Sequence, residues 1–112
     1  MSAPAGTRLW LAQRASAAVL VVCVAVHLAT MVAAVRGGLS ATEILNRTRG
    51  SFGWAVFYGV FVLAVSIHAP IGLRTVAAEW LGWRGGAANA LWLVVGIVML
   101  LLGVGAVAAV TR

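Results

Sequence analysis

Residues 15–35 read ASAAVLVVCVAVHLATMVAAV, a run of 21 positions between Arg14 and Arg36 without a charged side chain. As a helix rising about 1.5 Å per residue, such a run is roughly 30 Å long, the thickness of a bilayer's hydrocarbon core. The pattern recurs twice: 24 uncharged positions separate Arg49 from Arg74, and 27 separate Arg84 from Arg112. In lipid, only a helix satisfies the backbone of an isolated crossing segment internally. The expected fold is therefore all-α, an integral membrane three-helix bundle forming one domain over residues 1–112. Its helices are expected at about 10–36, 52–74 and 86–110, with interfacial connections at 37–51 and 75–85. The first run exceeds the roughly 7–15 residues of a signal-peptide core and reads as a retained helix.

Composition agrees. Hydrophobic residues make up 63% of the chain and charged residues 9%, against about 25% charged in a soluble domain. The only acids, Glu43 and Glu79, are too few for hydrolytic chemistry on paired carboxylates. One cysteine, Cys23, makes neither an internal disulfide nor a zinc or iron–sulfur site. All eight basic residues are arginines, and the net charge is +6. They stand apart along the sequence and form no basic patch, so the reading is membrane-surface anchoring and no nucleic acid.

In the first connection Ser40-Ala41-Thr42-Glu43 has the spacing of a capping box, predicting a short surface helix through Asn46. The second connection carries Glu79, Trp80, Trp83 and Arg84, and tryptophan favours the headgroup zone. Arginines fall four on each side (Arg8, Arg14, Arg74 and Arg84 against Arg36, Arg47, Arg49 and Arg112), so charge counting gives no orientation. Gly96, Gly103 and Gly105 are small enough for close helix contact, without a strict GxxxG motif.

The two histidines, His27 and His68, both fall inside apolar runs, where ionisable groups are costly and usually face the bundle interior. In the first helix Ser16, Leu20, Cys23, His27 and Thr30 share one stripe. In the second, Trp54, Tyr58, Phe61, Val65, His68 and Gly72 share another. Each histidine is either a neutral imidazole bonded to a neighbouring helix or an axial ligand of haem iron, a group that helical bundles hold between facing helices. Gly72, one turn beyond His68, leaves room for something flat beside the imidazole. Pro70 frees the carbonyl of Ser66. Arg74 reaches the interface, either as a snorkelling anchor or as a partner for haem propionates.

His68-Ala69-Pro70-Ile71-Gly72-Leu73-Arg74, followed by Glu79, resembles the H-x-x-x-G-[IL]-R-x-x-x-x-[DE] signature of the succinate dehydrogenase cytochrome b membrane anchor. Gln13-Arg14-Ala15-Ser16-Ala17 is similar to that family's H-R-x-[ST]-G segment at the start of its first helix. The likeness runs from about Trp10 into the third span. It implies that His68 is an axial ligand of haem b. It implies that Arg14 lies near the quinone pocket and haem propionates, that Ser16 is the hydroxyl residue of the first segment, and that Glu79 is the acidic residue at the membrane surface. It also implies a cytoplasmic N-terminus in a bacterial inner membrane. Gln13 stands where the family has His, Ala17 where it has Gly, and Trp10 where some members have a quinone-contacting Ser.

Depth separates the two histidines. If Arg14 and Arg74 mark one membrane face, His68 lies about 9 Å deep and His27 about 20 Å deep. Ligands of one iron must both approach it to about 2 Å, so the two are not expected to clasp the same haem. The expectation is one haem at His68 and a second at His27, each completed by another subunit, either a second membrane anchor or a second copy of this chain. Haem propionates would meet Arg74 and Arg14, and quinone would meet Gln13, Arg14 and Ser16. The function expected is a haem-b-binding, electron-transferring anchor of a succinate:quinone oxidoreductase, beside an iron–sulfur subunit and a flavoprotein subunit, with chemistry carried by the cofactors. Three alternatives stand: a haem-free structural anchor, an unrelated dihaem cytochrome, and a small transporter subunit. Against the last, no span contains Asp, Glu, Lys or Arg, the groups an ion path normally needs.

Overall fold

A computed structural model of the chain describes residues 5–112. Four helices follow in order: α1 (Ala5–Arg36), α2 (Ala41–Thr48), α3 (Phe52–Leu81) and α4 (Gly86–Thr111). α1, α3 and α4 are long and apolar enough to cross a membrane. The molecule measures 48 × 33 × 22 Å, and its long axis suits a bilayer of about 40–45 Å with headgroups. α3 is central and packs against α1 on one side and α4 on the other.

Two helices run past an arginine that bounds an uncharged stretch, α1 past Arg14 and α3 past Arg74, while the starts of α3 and α4 and the end of α1 fall where expected. α3 continues beyond position 74 to Leu81, so most of the segment expected as an interfacial connection, 75–85, is helical. Nothing in Arg74–Leu81 breaks a helix, and a charge ends a membrane span without ending the helix carrying it. The stop is Gly82, which takes the left-handed φ of 65° while its N–H bonds Ala77 O, a conformation glycine adopts at little cost. α1 likewise begins before position 10, at Ala5.

α2 starts at the capping box: Glu43 N–H donates to Ser40 Oγ (3.2 Å) and Ser40 N–H to Glu43 Oε2 (2.8 Å). It is tied to the far end of α4. Thr48 Oγ1 donates to Val110 O at 2.6 Å, and Gly50 N–H to Thr111 O at 2.8 Å. Two carbonyls of α4's last turn, which lack helical donors, are satisfied by the α2 connection.

The packing is that of a membrane protein. Among the described residues no large side chain is fully buried, and the buried ones are small: Ser16, Cys23, Thr48, Ala64, Ser66, Pro70, Ala77 and Ala88. Large apolar side chains such as Val21, Leu28, Leu93 and Leu101 point outward. The α3–α4 seam is closest at two glycines. A Cβ at Gly96 would meet Ser66 O at 3.1 Å and Pro70 Cγ at 3.2 Å, and one at Gly103 would collide with Val62. The carbonyl freed by Pro70 thus lies against the backbone of Gly96. Gly105, the third glycine expected at a contact, faces open space.

Candidate functional site

The site lies on the α1–α3 seam. The helices are antiparallel, so the α1 stripe meets the α3 stripe in reverse order. Ser16 sits at His68, with Oγ 3.3 Å from Nδ1. Gln13 sits at Gly72, its Nε2 3.2 Å from where a Cβ would be. His27 sits between Tyr58 and Phe61, edge-on to both rings with centroids 5.9 and 5.7 Å away.

Ser16 decides what His68 can do. Its hydroxyl also bonds Gln13 O, at 3.1 Å. In the tautomer with its proton on Nδ1, the bonds run from His68 Nδ1–H to Ser16 Oγ–H to Gln13 O, and Nε2 carries the lone pair. His68 is half-buried, beside a Ser16 only 6% exposed. A ligating histidine almost always has its second ring nitrogen held in this way.

His27 differs. Its Nδ1 is buried without a hydrogen-bond partner. The nearby Thr30 hydroxyl is committed to the carbonyl of His27 itself at 2.7 Å. His27 instead lines a cavity of about 310 Å³ with Thr30, Arg47, Trp54 and Tyr58, at the end of the bundle where α2 packs. Since Ser16 marks the level of His68 on α1, the two imidazoles stand about 16 Å apart in height along that helix at about 1.5 Å per residue. They do not reach one metal.

The arginines go elsewhere. Arg14 is exposed and lies over the Trp10 ring, 5.4 Å from its centroid. It projects from roughly the opposite side of α1 to Ser16. Of the three residues expected at a quinone, Gln13 and Ser16 are together on the seam, and Arg14 is not with them. Arg74 is turned about 120° around α3 from His68, towards α4, where its Nε donates to Asn89 Oδ1 at 2.8 Å. Arg74 and His68 are thus not on one face. The room expected beside His68 at Gly72 is taken by the Gln13 amide, because a flexible polar side chain fills the gap a glycine leaves between two helices. Glu79 is exposed beyond the span. Two residues were not foreseen: Arg47, in the His27 cavity, and Asn89, the partner of Arg74. Asn89 was legible as a polar residue three positions into α4, level with the arginine ending the preceding span. Arg47 on a lone surface turn carried no such signal.

The sequence model of one family, described as the succinate dehydrogenase/fumarate reductase transmembrane subunit, matches residues 1–106. The chain belongs to that family. Comparison with curated proteins and with solved structures found no match. The protein is accordingly a multi-pass membrane subunit outside the catalytic core of such a complex, surrounded by lipid and by partner subunits.

Proposed function

We propose that this subunit binds haem b through His68 Nε2 and passes electrons between an iron–sulfur subunit and membrane quinone, while anchoring the catalytic subunits. The observation that carries the reading is the Ser16–His68 contact at 3.3 Å, since a hydroxyl oxygen behind Nδ1 holds the ring and supports the tautomer that leaves the Nε2 lone pair free. The haem would supply one-electron redox chemistry at the iron. This chain supplies the imidazole, its tautomer and its orientation. The half-buried imidazole leaves room for a second subunit, a second membrane anchor or a second copy of this chain, which would supply the haem's other protein ligand.

Arg14 is the exposed guanidinium at the same end of α1, and we assign to it the contact with quinone or a haem propionate. Ser16 and Gln13 belong to the seam behind the imidazole. The orientation that fits is an N-terminus on the cytoplasmic side of a bacterial inner membrane, where the iron–sulfur and flavoprotein subunits would dock. A second haem at His27 draws support from the cavity that His27 shares with Arg47, a cation placed as a propionate would need. His27 lacks the second-nitrogen partner that His68 has.

The test is haem b per copy of the chain in the purified membrane complex, with reduced-minus-oxidised spectra of wild type, His68→Ala and His27→Ala. The expected result is loss of one haem signal in His68→Ala, and loss of a spectrally different one in His27→Ala if two are held. Full haem content in His68→Ala would leave the subunit in its family as a structural anchor and end the haem reading.

A further inference from the structure

The other side of α3 carries a feature that the haem reading does not use. α1, α3 and α4 enclose an apolar groove of about 540 Å³, lined by Leu63, Ile67, Pro70, Leu93, Ile97 and Leu100 among others. Its mouth holds Arg74 and Asn89. A smaller cavity of about 150 Å³ begins at those same two residues and adds Trp83, Arg84 and Gly85. The two spaces adjoin at the Arg74–Asn89 pair. One end is cationic and interfacial, and the other is greasy and lies within the membrane.

We propose that this composite groove binds an anionic phospholipid, its phosphate between Arg74 and Arg84 and one acyl chain along α3 and α4. Three observations favour this occupant. First, both guanidinium groups are held in place by neutral acceptors: Arg74 by Asn89 Oδ1 at 2.8 Å, and Arg84 by Ala78 O at 3.2 Å. Each keeps its full charge and further N–H donors for an anion. Second, the level is that of headgroups, since Trp83 lines the smaller cavity and Trp80 is 81% exposed one turn earlier. Third, the length fits. Asn89 and Leu100 lie roughly 16 Å apart along α4, about one leaflet of a 30 Å hydrocarbon core. The outer flanks stay open to lipid, with Leu63 52% and Leu93 66% exposed. Gly85, the N-cap residue before α4, makes no side-chain cap, so the first N–H groups of α4 add a minor positive contribution. Basic pockets between membrane helices are a known recognition mode for acidic headgroups.

The inference does not rest on haem. It is tested on the complex purified in mild detergent and exchanged into nanodiscs of phosphatidylglycerol mixed with phosphatidylcholine, with the retained lipid counted after re-extraction. The expected result is enrichment of phosphatidylglycerol on the order of tenfold or more, as two arginines imply. Arg74→Gln and Arg84→Gln each lower it about fivefold, and the double variant removes it. The double Lys variant, which keeps the charge, restores most of it and separates recognition from loss of fold. Leu93→Trp, which fills the groove, lowers retention of phosphatidylglycerol with both arginines intact. Equal retention of the two lipids, or enrichment that survives the double Gln variant, overturns the proposal. A neutral occupant such as a partner helix or an isoprenoid tail would give the first result, equal retention. Haem content, read on the same samples, reports separately on the haem reading.

Discussion

α3 has two seams, built from opposite materials. Towards α4 it packs against the bare backbone of Gly96 and Gly103, with Ser66 O, the Pro70 ring and the Val62 side chain as the opposing surface. Towards α1 it meets side chains with chemistry: Ser16 at His68, Gln13 at Gly72, and the aromatic pair Tyr58 and Phe61 at His27. Lipid is as apolar as Leu, so helices in it associate through close packing and polar contacts rather than through a hydrophobic drive. This protein separates the two: the α3–α4 seam is close packing at glycines, and the α1–α3 seam carries the polar and aromatic pairs.

The largest effect should come from breaking the packing seam. Gly103 has no room for a Cβ against Val62, so Gly103→Leu forces α4 away from α3. Overpacking of this kind costs typically 1–3 kcal/mol, and more where backbones must part. The expected outcome is a lower midpoint of thermal unfolding in detergent, with unchanged haem per folded molecule. Gly105→Ala, at a helical glycine facing open space, is the control and should hold or raise stability, by up to about 1 kcal/mol from the helix preference of Ala over Gly. If the two variants behaved alike, the α3–α4 contact would not be what holds α4 in place.

Next in size is an effect on the chemical seam. Ser16→Ala removes the acceptor from His68 Nδ1, frees the ring to rotate and leaves its tautomer unset. Loss of such a partner typically costs 10–100-fold in metal affinity. The expected outcome is weaker haem retention and a shifted reduction potential, with unfolding unchanged, and Ser16→Thr restores both. A Ser16→Ala variant with wild-type haem affinity and potential, in a protein where His68→Ala loses the haem, would show that the hydroxyl does not position the imidazole.

Legibility from sequence follows the same division. The crossing helices were readable because lipid imposes one requirement on every position, and arginines mark where it ends. Most helix ends were readable too, with α1 ending at Arg36, α3 starting at Phe52 and α4 at Gly86 as expected. The end of α3 was not, since Arg74 stops a span but only Gly82 stops the helix. The pairing of stripes was readable as far as His27 and His68 sharing faces with Ser16 and Tyr58. What a stripe cannot give is the rotation of a neighbour. Arg74 stands near His68 in sequence, and the helix turns it to Asn89. Arg14 adjoins the seam residue Ser16 and points away from it. The space over Gly72 looked vacant because sequence does not show that Gln13, on another helix, reaches into it.

A smaller effect is expected where the α2 connection holds the end of the packing seam. Thr48→Val keeps the shape of the side chain and removes the donor to Val110 O, which the structure places 2.6 Å away. The neighbouring bond from Gly50 N–H to Thr111 O remains. A single hydrogen bond contributes about 0.5–1.5 kcal/mol net. Hydrogen exchange should therefore speed up in the last turn of α4 and stay as it was around Ser16 and His68. Faster exchange at both places would mean that the two seams open together.

The smallest effect is the sharpest comparison, because one substitution placed on each seam should differ in sign. Gly96→Ala and Gly72→Ala each add one methyl group at a similar nominal distance, 3.1 Å from Ser66 O and 3.2 Å from Gln13 Nε2. The neighbours differ in their freedom. Ser66 O is helix backbone and Pro70 Cγ belongs to a closed ring, so at Gly96 neither can retreat and α4 must shift. At Gly72 the neighbour is the end of a flexible side chain, which can swing aside by a few tenths of an ångström. Alanine is also favoured over glycine within a helix by about 0.8–1.0 kcal/mol. Gly96→Ala should therefore lower thermal stability, while Gly72→Ala leaves it level or slightly raised. The Gln13 amide, once displaced, would move within the His68 neighbourhood, so the haem spectrum of Gly72→Ala should shift without loss of haem. If Gly72→Ala destabilised as much as Gly96→Ala, the α1–α3 seam would be as rigidly packed as the other, and the division of labour between them would fail.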